Sequence, residues 1–192
     1  DAGAGIGSEA VYFSRLVQAN GLVLALEPHP ATLRCLKKTI SLNGINNIIP
    51  ISTALSSQDE KLFISSEENH IANAVRPVNN SVENSIQIEA RTLDNILIEN
   101  KVSQVNFLKM NIEGMEYEAL KGAKNLLSGK IATAISCHDF MVERVKDAKE
   151  YITFDDVKNL LSGLNHEFIS NKYSSDWPET IESKFYIFTE HS

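Results

Sequence analysis

The residues best suited to chemistry stand at the start of the chain, in the stretch "DAGAGIG". Asp1, Gly3, Gly5 and Gly7 form the pattern D-x-G-x-G-x-G, with Ala4 inside it. Glycines let a backbone turn sharply and approach a ligand, and the helix that follows offers free N–H groups. The turn therefore predicts a nucleotide-type ligand. Asp1 is expected to accept a hydrogen bond from a ligand ammonium group or to organise the turn.

Glu27 is the second part of this pattern. It ends the apolar run at residues 22–27 and follows Gly7 by 20 residues. An acid about 20 residues beyond a nucleotide-binding turn binds ribose hydroxyls, so we predict this role for Glu27 rather than that of a solvated strand end. Nicotinamide-binding turns use G-x-G-x-x-G, and here the third glycine comes one residue early. A nicotinamide-dependent oxidoreductase is the weaker interpretation.

A second group of chemical residues lies near the middle of the chain, in "KMNIEG". A strand period of two puts Lys109, Asn111 and Glu113 on one face, at the carboxyl end of a strand. Open α/β sheets bind ligands at that end. Lys109 is expected either to take part in the chemistry or to pair with Glu113 or Glu116. Glu113 is expected to hold a ligand ammonium group or to accept a proton.

The histidines differ in their surroundings. His138 ends a predicted strand beside Asp139, where it is expected to serve as a general base near neutral pH or as a structural residue. His29, in E-P-H-P, is expected to flank a ribose or to face solvent. The other three have no metal-ligand spacing, so we predict no metal site; they are His70, His166 and His191.

Composition limits the class of protein. The chain has 192 residues, 43% hydrophobic and 22% charged, which predicts one globular domain over residues 1–192. A net charge of −7 disfavours nucleic acid as a partner. No apolar stretch approaches the ~20 residues of a membrane helix, so no membrane partner is expected. Cys35 and Cys137 form no CxxC pair and predict buried, reduced thiols in a cytoplasmic protein.

Apolar runs alternate with helical patterns, which predicts an α/β fold. The predicted strands cover residues 22–27, 47–53, 61–65, 85–90, 105–114, 131–138, 166–173 and 184–191. The predicted helices cover residues 8–21, 30–44, 115–127 and 153–165. Pro50 places its strand at a sheet edge. Residues 66–84 are predicted to form a polar loop that joins an antiparallel pair, and the last two strands are predicted to form a hairpin.

With "ALEPHP", "RTLDNIL" and "FLKMNIEGMEYEALKGAKNLL", the chain resembles the FkbM family of class I S-adenosylmethionine-dependent methyltransferases. The resemblance implies a Rossmann-like sandwich with a mostly parallel seven-stranded sheet. Its strand order is 3-2-1-4-5-7-6, with an antiparallel strand 7 in the C-terminal hairpin. Strand 1 would then precede Asp1, so we expect the intact protein to have an upstream segment that ends in an apolar run.

The resemblance also implies a cofactor and a type of acceptor. S-adenosylmethionine would be the methyl donor and S-adenosylhomocysteine the product, bound in addition by Pro28, Thr53, Ala54 and Asn111. The acceptor would be a small molecule, sugar or biosynthetic intermediate that is methylated on a hydroxyl or carboxylate oxygen. An amine acceptor stays open. A hydroxyl needs a proton acceptor, and His138 and Glu113 are the candidates.

Two positions depart from the family pattern. Asn111 stands where the family usually has Asp, and Ser136 stands where it often has Glu. An asparagine keeps hydrogen-bonding geometry but supplies neither negative charge nor base strength. A non-catalytic S-adenosylmethionine-binding domain is therefore the other alternative.

Overall fold

The structure, a computed structural model, describes residues 1–66, 75–76, 85–129, 131–139, 152–170 and 185–190. Its contacts divide the chain into two compact units. The first comprises Asp1–Ala54 and Asp59–Ala90, and the second comprises Leu55–Gln58 and Arg91–Ser192.

The first unit opens with the glycine turn and contains α1 (Ser8–Leu16), β1 (Val23–Leu26), α2 (Pro30–Leu42) and β2 (Ile48–Ile51). β1 and β2 are parallel. Ala2 forms a parallel bridge with Leu26 on β1. The helices and strands enclose one apolar core of eight buried residues, namely Ala4, Ala10, Val23, Ala25, Leu33, Leu36, Ile40 and Ile48.

α2 follows its predicted course. Pro30 occupies the first turn, where its missing N–H costs no helical hydrogen bond. Leu33, Leu36 and Ile40, which are spaced about one turn apart and share one face, are buried, and Asn43 caps the C-terminal end of the helix. Cys35 lies off this face and is exposed, so its prediction as a core residue is wrong, whereas Cys137 is buried.

α1 is shorter than predicted, and only its first turns contribute to the core. It ends at Leu16 because Gln18 takes a left-handed φ of 58°, which interrupts a right-handed helix. Ala10 and Ser14 are buried, and Val11 and Phe13 pack against the core, whereas Leu16 is 59% exposed. The small side chains of Ala10 and Ser14, one turn apart, face the core of the unit.

A four-stranded sheet consists of β3 (Ala54–Leu55), β4 (Glu60–Ser65), β5 (Val75–Arg76) and β6 (Ser85–Arg91), in the order β3-β6-β4-β5. β4 pairs antiparallel with β6, which confirms the predicted pair. β4 also pairs with β5, so the segment predicted as a loop contains a short strand. The rest of that segment, residues 67–74 and 77–84, lies outside the described residues.

The described part of the second unit contains all four strands predicted between residues 105 and 191, together with four helices. It comprises α3 (Leu93–Glu99), β7 (Phe107–Met110), α4 (Glu116–Lys121), α5 (Lys124–Leu127), β8 (Ala132–Ser136), α6 (Phe154–Gly163), β9 (His166–Ser170) and β10 (Phe185–Glu190). The sheet order is β7-β8-β10-β9. β7 and β8 are parallel, and β10 is antiparallel to both β8 and β9. The predicted antiparallel hairpin is confirmed, but its connecting loop lies outside the described residues.

The described strands thus form one sheet of two strands and two sheets of four. The α/β class is confirmed. A single, mostly parallel seven-stranded sheet is not established among these strands.

The helix predicted over residues 115–127 is instead two helices, α4 and α5. The side chain of Asp94 caps the N-terminal end of α5. The Asp94 carboxylate accepts hydrogen bonds from the N–H groups of Asn125 and Leu126, at 2.9 and 3.1 Å. These are first-turn donors of α5, which have no partner within their own helix. The Leu-Asp part of the family pattern therefore has a structural role here.

A substitution at Gly122, between α4 and α5, tests how closely this segment packs against its neighbours. A Cβ at this position would lie 2.2 Å from the backbone oxygen of Ser56. Gly122→Ala is therefore expected to lower the free energy of unfolding by about 1–3 kcal/mol through overpacking. Gly163→Ala is the matched control, since a Cβ there meets nothing within 4 Å. Urea denaturation of both variants measures the difference, and equal midpoints would contradict the prediction.

Candidate functional site

The glycine turn curls back onto the end of β1. The N–H groups of Gly3 and Ala4 both donate to the Leu26 oxygen, at 3.0 Å each. Gly3, Gly5 and Gly7 have φ values of 74°, 56° and 99°. Side chains other than glycine rarely adopt such values, so the spacing of glycines in the sequence reflects the backbone that the turn requires.

The Glu27 carboxylate links the glycine turn to the start of α2. Its Oε2 accepts a hydrogen bond from the Gly5 N–H at 3.0 Å, and its Oε1 accepts one from the His29 N–H at 2.9 Å. The carboxyl group is buried, so Glu27 is not a solvated strand end. Glu27 therefore fixes the turn.

The other first-unit candidates are also buried or half-buried. His29 is buried and caps α2, where its Nδ1 accepts a hydrogen bond from the Thr32 N–H; the expectation that it faces solvent is wrong. The Thr53 hydroxyl donates to the Ala54 oxygen at 2.9 Å, and Pro28 is half-buried. The roles of these residues toward a ribose or an adenine stay predictions.

In the second unit, the expected face of Lys109, Asn111 and Glu113 does not form. β7 ends at Met110, so the alternation of a strand no longer applies to Asn111 and Glu113. Lys109 is buried within β7. Glu113 has a left-handed φ of 55°. A glutamate in this region is uncommon and carries a conformational cost, and such residues cluster at functional sites.

Glu113 belongs to a cluster that four segments bring together: Glu113, Glu116, His138 and Thr153, hereafter the glutamate–histidine cluster. His138 Nε2 lies 3.3 Å from Glu113 Oε1, and its Nδ1 lies 2.7 Å from Glu116 Oε1. Glu116 Oε1 also accepts a hydrogen bond from the Gly114 N–H, and Oε2 accepts one from the Thr153 hydroxyl. The Glu116 side chain is 0% exposed and that of His138 is 4% exposed.

The two glutamates determine the charge of His138. Burial by itself lowers the pKa of the imidazole, but hydrogen bonds and charge interactions with Glu113 and Glu116 outweigh it and raise the pKa to about 9. An ionised carboxylate only accepts hydrogen bonds, so both ring nitrogens must carry a proton. At neutral pH the ring is therefore an imidazolium held between two carboxylates.

This ionisation predicts a pH dependence of stability. The folded-state pKa lies above the ordinary histidine value of 6.5, so the stabilisation is complete below pH 6.5 and is lost as the pH rises through about 9. We expect the free energy of unfolding to fall by about 3 kcal/mol across this window, because a difference of one in pKa corresponds to about 1.36 kcal/mol. Urea titrations of the wild type and His138→Gln measure it. In His138→Gln, the free energy of unfolding should no longer fall between pH 6.5 and about 9. The same pH dependence in both proteins would contradict the prediction.

Asn111 carries a buried polar atom that still needs a donor. Its Oδ1 is buried and has no hydrogen-bond partner within the part of the chain that the structure describes. An unsatisfied buried oxygen of this kind is costly. A ligand that donates a hydrogen bond here would remove that cost, which is consistent with the predicted binding role.

The sequence pattern indicated Glu116 only as a partner of Lys109 and did not indicate Thr153 at all. The signal that could have revealed Glu116 is its i, i+3 spacing from Glu113 across Gly114. Thr153 has no local signal, because it follows His138 by 15 residues and only the fold brings it to the cluster.

Other groups in the described ranges give no further chemical site. Three or more metal-binding side chains do not converge anywhere in them. His166 donates from Nε2 to the Leu127 oxygen at 2.9 Å, whereas His70 and His191 lie outside the described residues. Both cysteines are free thiols. A helix both long and apolar enough to cross a membrane is absent from these ranges.

Comparison with known proteins defines the class. The sequence model of the methyltransferase FkbM domain family matches residues 1–169. The chain therefore belongs to this family. The resemblance seen in "ALEPHP", "RTLDNIL" and "FLKMNIEGMEYEALKGAKNLL" is therefore confirmed.

Two relatives are similar in sequence or fold. The hexuronic acid methyltransferase AglP of Haloferax volcanii is 33% identical over 139 residues, which is 72% of this chain and 54% of the relative. The chain thus spans about half of that protein's length. The crystal structure of methyltransferase FkbM from Methylobacillus flagellatus matches 98% of this chain and 42% of its own, at 18% identity and a TM-score of 0.65. This likeness supports the α/β fold.

Proposed function

We propose that the protein transfers the methyl group of S-adenosylmethionine to an oxygen atom of a small-molecule or sugar acceptor. The glycine turn held by Glu27 carries this proposal, in a chain of the FkbM methyltransferase family. The residues present fit a nucleoside ligand. A Cβ at Gly5 would meet no atom within 4 Å, so the turn leaves open space beside Gly5.

The candidate residues of the first unit have separate tasks in this proposal. Glu27 accepts hydrogen bonds from the ribose hydroxyls. The turn lets the backbone approach the ligand closely, as glycines with positive φ permit. Thr53 and Ala54 bind the adenine. When bound, S-adenosylmethionine supplies an electrophilic methyl group, and the protein contributes alignment and exclusion of water.

The acceptor is proposed from its chemistry and from one relative. The name of the relative from Haloferax volcanii specifies a hexuronic acid, and we propose a sugar acid as the acceptor here. Such a molecule offers hydroxyl groups and a carboxylate. A carboxylate oxygen is already nucleophilic, whereas a hydroxyl must lose a proton, and Glu113 and His138 are the groups proposed for it.

Methyl transfer to a panel of acceptors tests the proposal. The full chain would be incubated with S-adenosylmethionine labelled with tritium in the methyl group and with methyl glycosides of hexuronic acids, neutral hexoses or amino sugars. We expect label in the hexuronic acid products. Alkaline hydrolysis then separates esters, which release methanol, from ethers, which do not. No labelled product from a protein that binds S-adenosylhomocysteine would favour a non-catalytic binding domain, the alternative that Asn111 raises.

A further inference from the structure

The members of the glutamate–histidine cluster differ in their access to a ligand. The Glu113 side chain is 24% exposed, whereas those of His138 and Glu116 are 4% and 0% exposed. Glu113 is thus the carboxylate of this group that a ligand can reach. Its left-handed φ of 55° is a conformation that the surrounding structure must maintain.

Both ring nitrogens of His138 already have a carboxylate partner. Its Nδ1 and Nε2 face Glu116 and Glu113 at 2.7 and 3.3 Å, so neither nitrogen presents a lone pair to a ligand. Glu116 is held in turn by the Gly114 N–H and the Thr153 hydroxyl. Neighbouring Asp139 directs its carboxylate toward the Phe154 N–H, at 3.3 and 3.4 Å.

We propose that Glu113 accepts the proton of an acceptor hydroxyl, and that His138, anchored by Glu116, is a positioning residue that holds the Glu113 carboxylate. This inference rests on the proposed methyltransferase function and specifies a hydroxyl, rather than a carboxylate, as the acceptor group. It assigns the base role to one of the two candidates that the sequence left open.

The step balances with these groups. A lone pair of the acceptor oxygen forms the new C–O bond, and the bond between sulfur and the methyl carbon breaks with its electron pair left on sulfur. The hydroxyl proton passes to Glu113. A carboxylate is a sufficient base because the oxygen becomes acidic as the new bond forms. Two carboxylates and one imidazolium carry a single net negative charge, which the proton neutralises.

His138 is poorly suited to be the base itself. It would first have to release a proton from between two carboxylates, and these hold its pKa at about 9. Its fixed positive charge has a different use. It allows two carboxylates to lie close together and fixes the direction of the one that reaches the surface.

Nitrogen NMR of the full chain labelled with ¹⁵N-histidine tests the arrangement without any acceptor. His138 is assigned from the signal that disappears in His138→Gln. We expect imidazolium shifts at pH 7 and a midpoint near 9. Glu113→Gln and Glu116→Gln should each lower that midpoint by about 1–3 pH units. Glu118→Gln, on the same helix as Glu116, should leave it unchanged. A neutral His138 at pH 7 would overturn the proposal.

Turnover of a methyl hexuronoside with labelled S-adenosylmethionine tests the base directly. Glu113→Gln should lower kcat by about 10²–10⁴-fold and leave the affinity for S-adenosylhomocysteine unchanged. His138→Gln should also lower kcat, by less, with unchanged affinity. A wild-type kcat in Glu113→Gln would overturn the inference. Failure of the wild type to bind S-adenosylhomocysteine would instead overturn the proposed function, and the NMR result would still decide how His138 is held.

Discussion

Glu27→Gln is expected to weaken the binding of S-adenosylhomocysteine by about 10- to 100-fold. A hydrogen bond to a charged group contributes about 1.5–3 kcal/mol, and each 1.4 kcal/mol is a factor of about ten in affinity. The glutamine keeps the shape of the side chain but replaces one acceptor oxygen by an NH₂ donor. That donor must face either a ribose hydroxyl or one of the two backbone N–H groups, of Gly5 and His29, that the carboxylate now binds.

Isothermal titration calorimetry measures this effect, with thermal unfolding to show that the variant is folded. Glu89→Gln is the matched control, because its carboxylate is exposed and lies 4.0 Å from the Lys61 ammonium group on the neighbouring strand. We expect the control to bind as the wild type does. Equal affinities for all three proteins would show that Glu27 does not contribute to binding S-adenosylhomocysteine.

Glu116→Ala is expected to lower the free energy of unfolding at pH 7 by about 3–5 kcal/mol, the usual effect of removing one partner from a buried ion pair. The substitution leaves the His138 imidazolium with less compensation in a buried position. It also removes the acceptor for the Gly114 N–H and the Thr153 hydroxyl. We therefore expect a larger loss of stability from Glu116→Ala than from Gly122→Ala.

Urea denaturation at pH 7 checks this prediction. Glu118→Gln is the control, because the amide oxygen can still accept the hydrogen bond from the Ser57 hydroxyl. The change removes only the charge paired with Lys121 on the same helix, and surface pairs contribute about 0–1 kcal/mol. The double variant Glu116→Gln/His138→Gln should lose less stability than the sum of its single variants, since their interaction is shared. Additive losses would show that the two side chains are not coupled in the folded protein.

The sequence predicted the backbone of the glycine turn because three glycines supply the positive φ values that the turn requires, which is a local property. Glu27 was a candidate because of its spacing from the turn, although its hydrogen bond with Gly5 joins residues 22 positions apart. The α2 helix could also be predicted from local features, with its Pro30 start and its apolar positions one turn apart. Its helical period also places Cys35 away from the buried face, so the wrong prediction for Cys35 was avoidable.

The second site could be predicted only in part. Glu113 and His138 were candidates from residue type and position. The strand pattern then failed for Asn111 and Glu113 because alternation holds only while the backbone is extended, and β7 ends at Met110. The contacts of Glu116 with His138 join residues 22 positions apart. The charge of the histidine depends on its burial and on both carboxylates, which no local pattern encodes.

Titration of the wild-type chain with S-adenosylhomocysteine in a calorimeter tests the proposed cofactor site most directly, with NADH as the comparison ligand. We predict a single site with a dissociation constant on the order of micromolar and no heat from NADH. No binding of S-adenosylhomocysteine by a folded sample, or binding of NADH in its place, would contradict the proposed function.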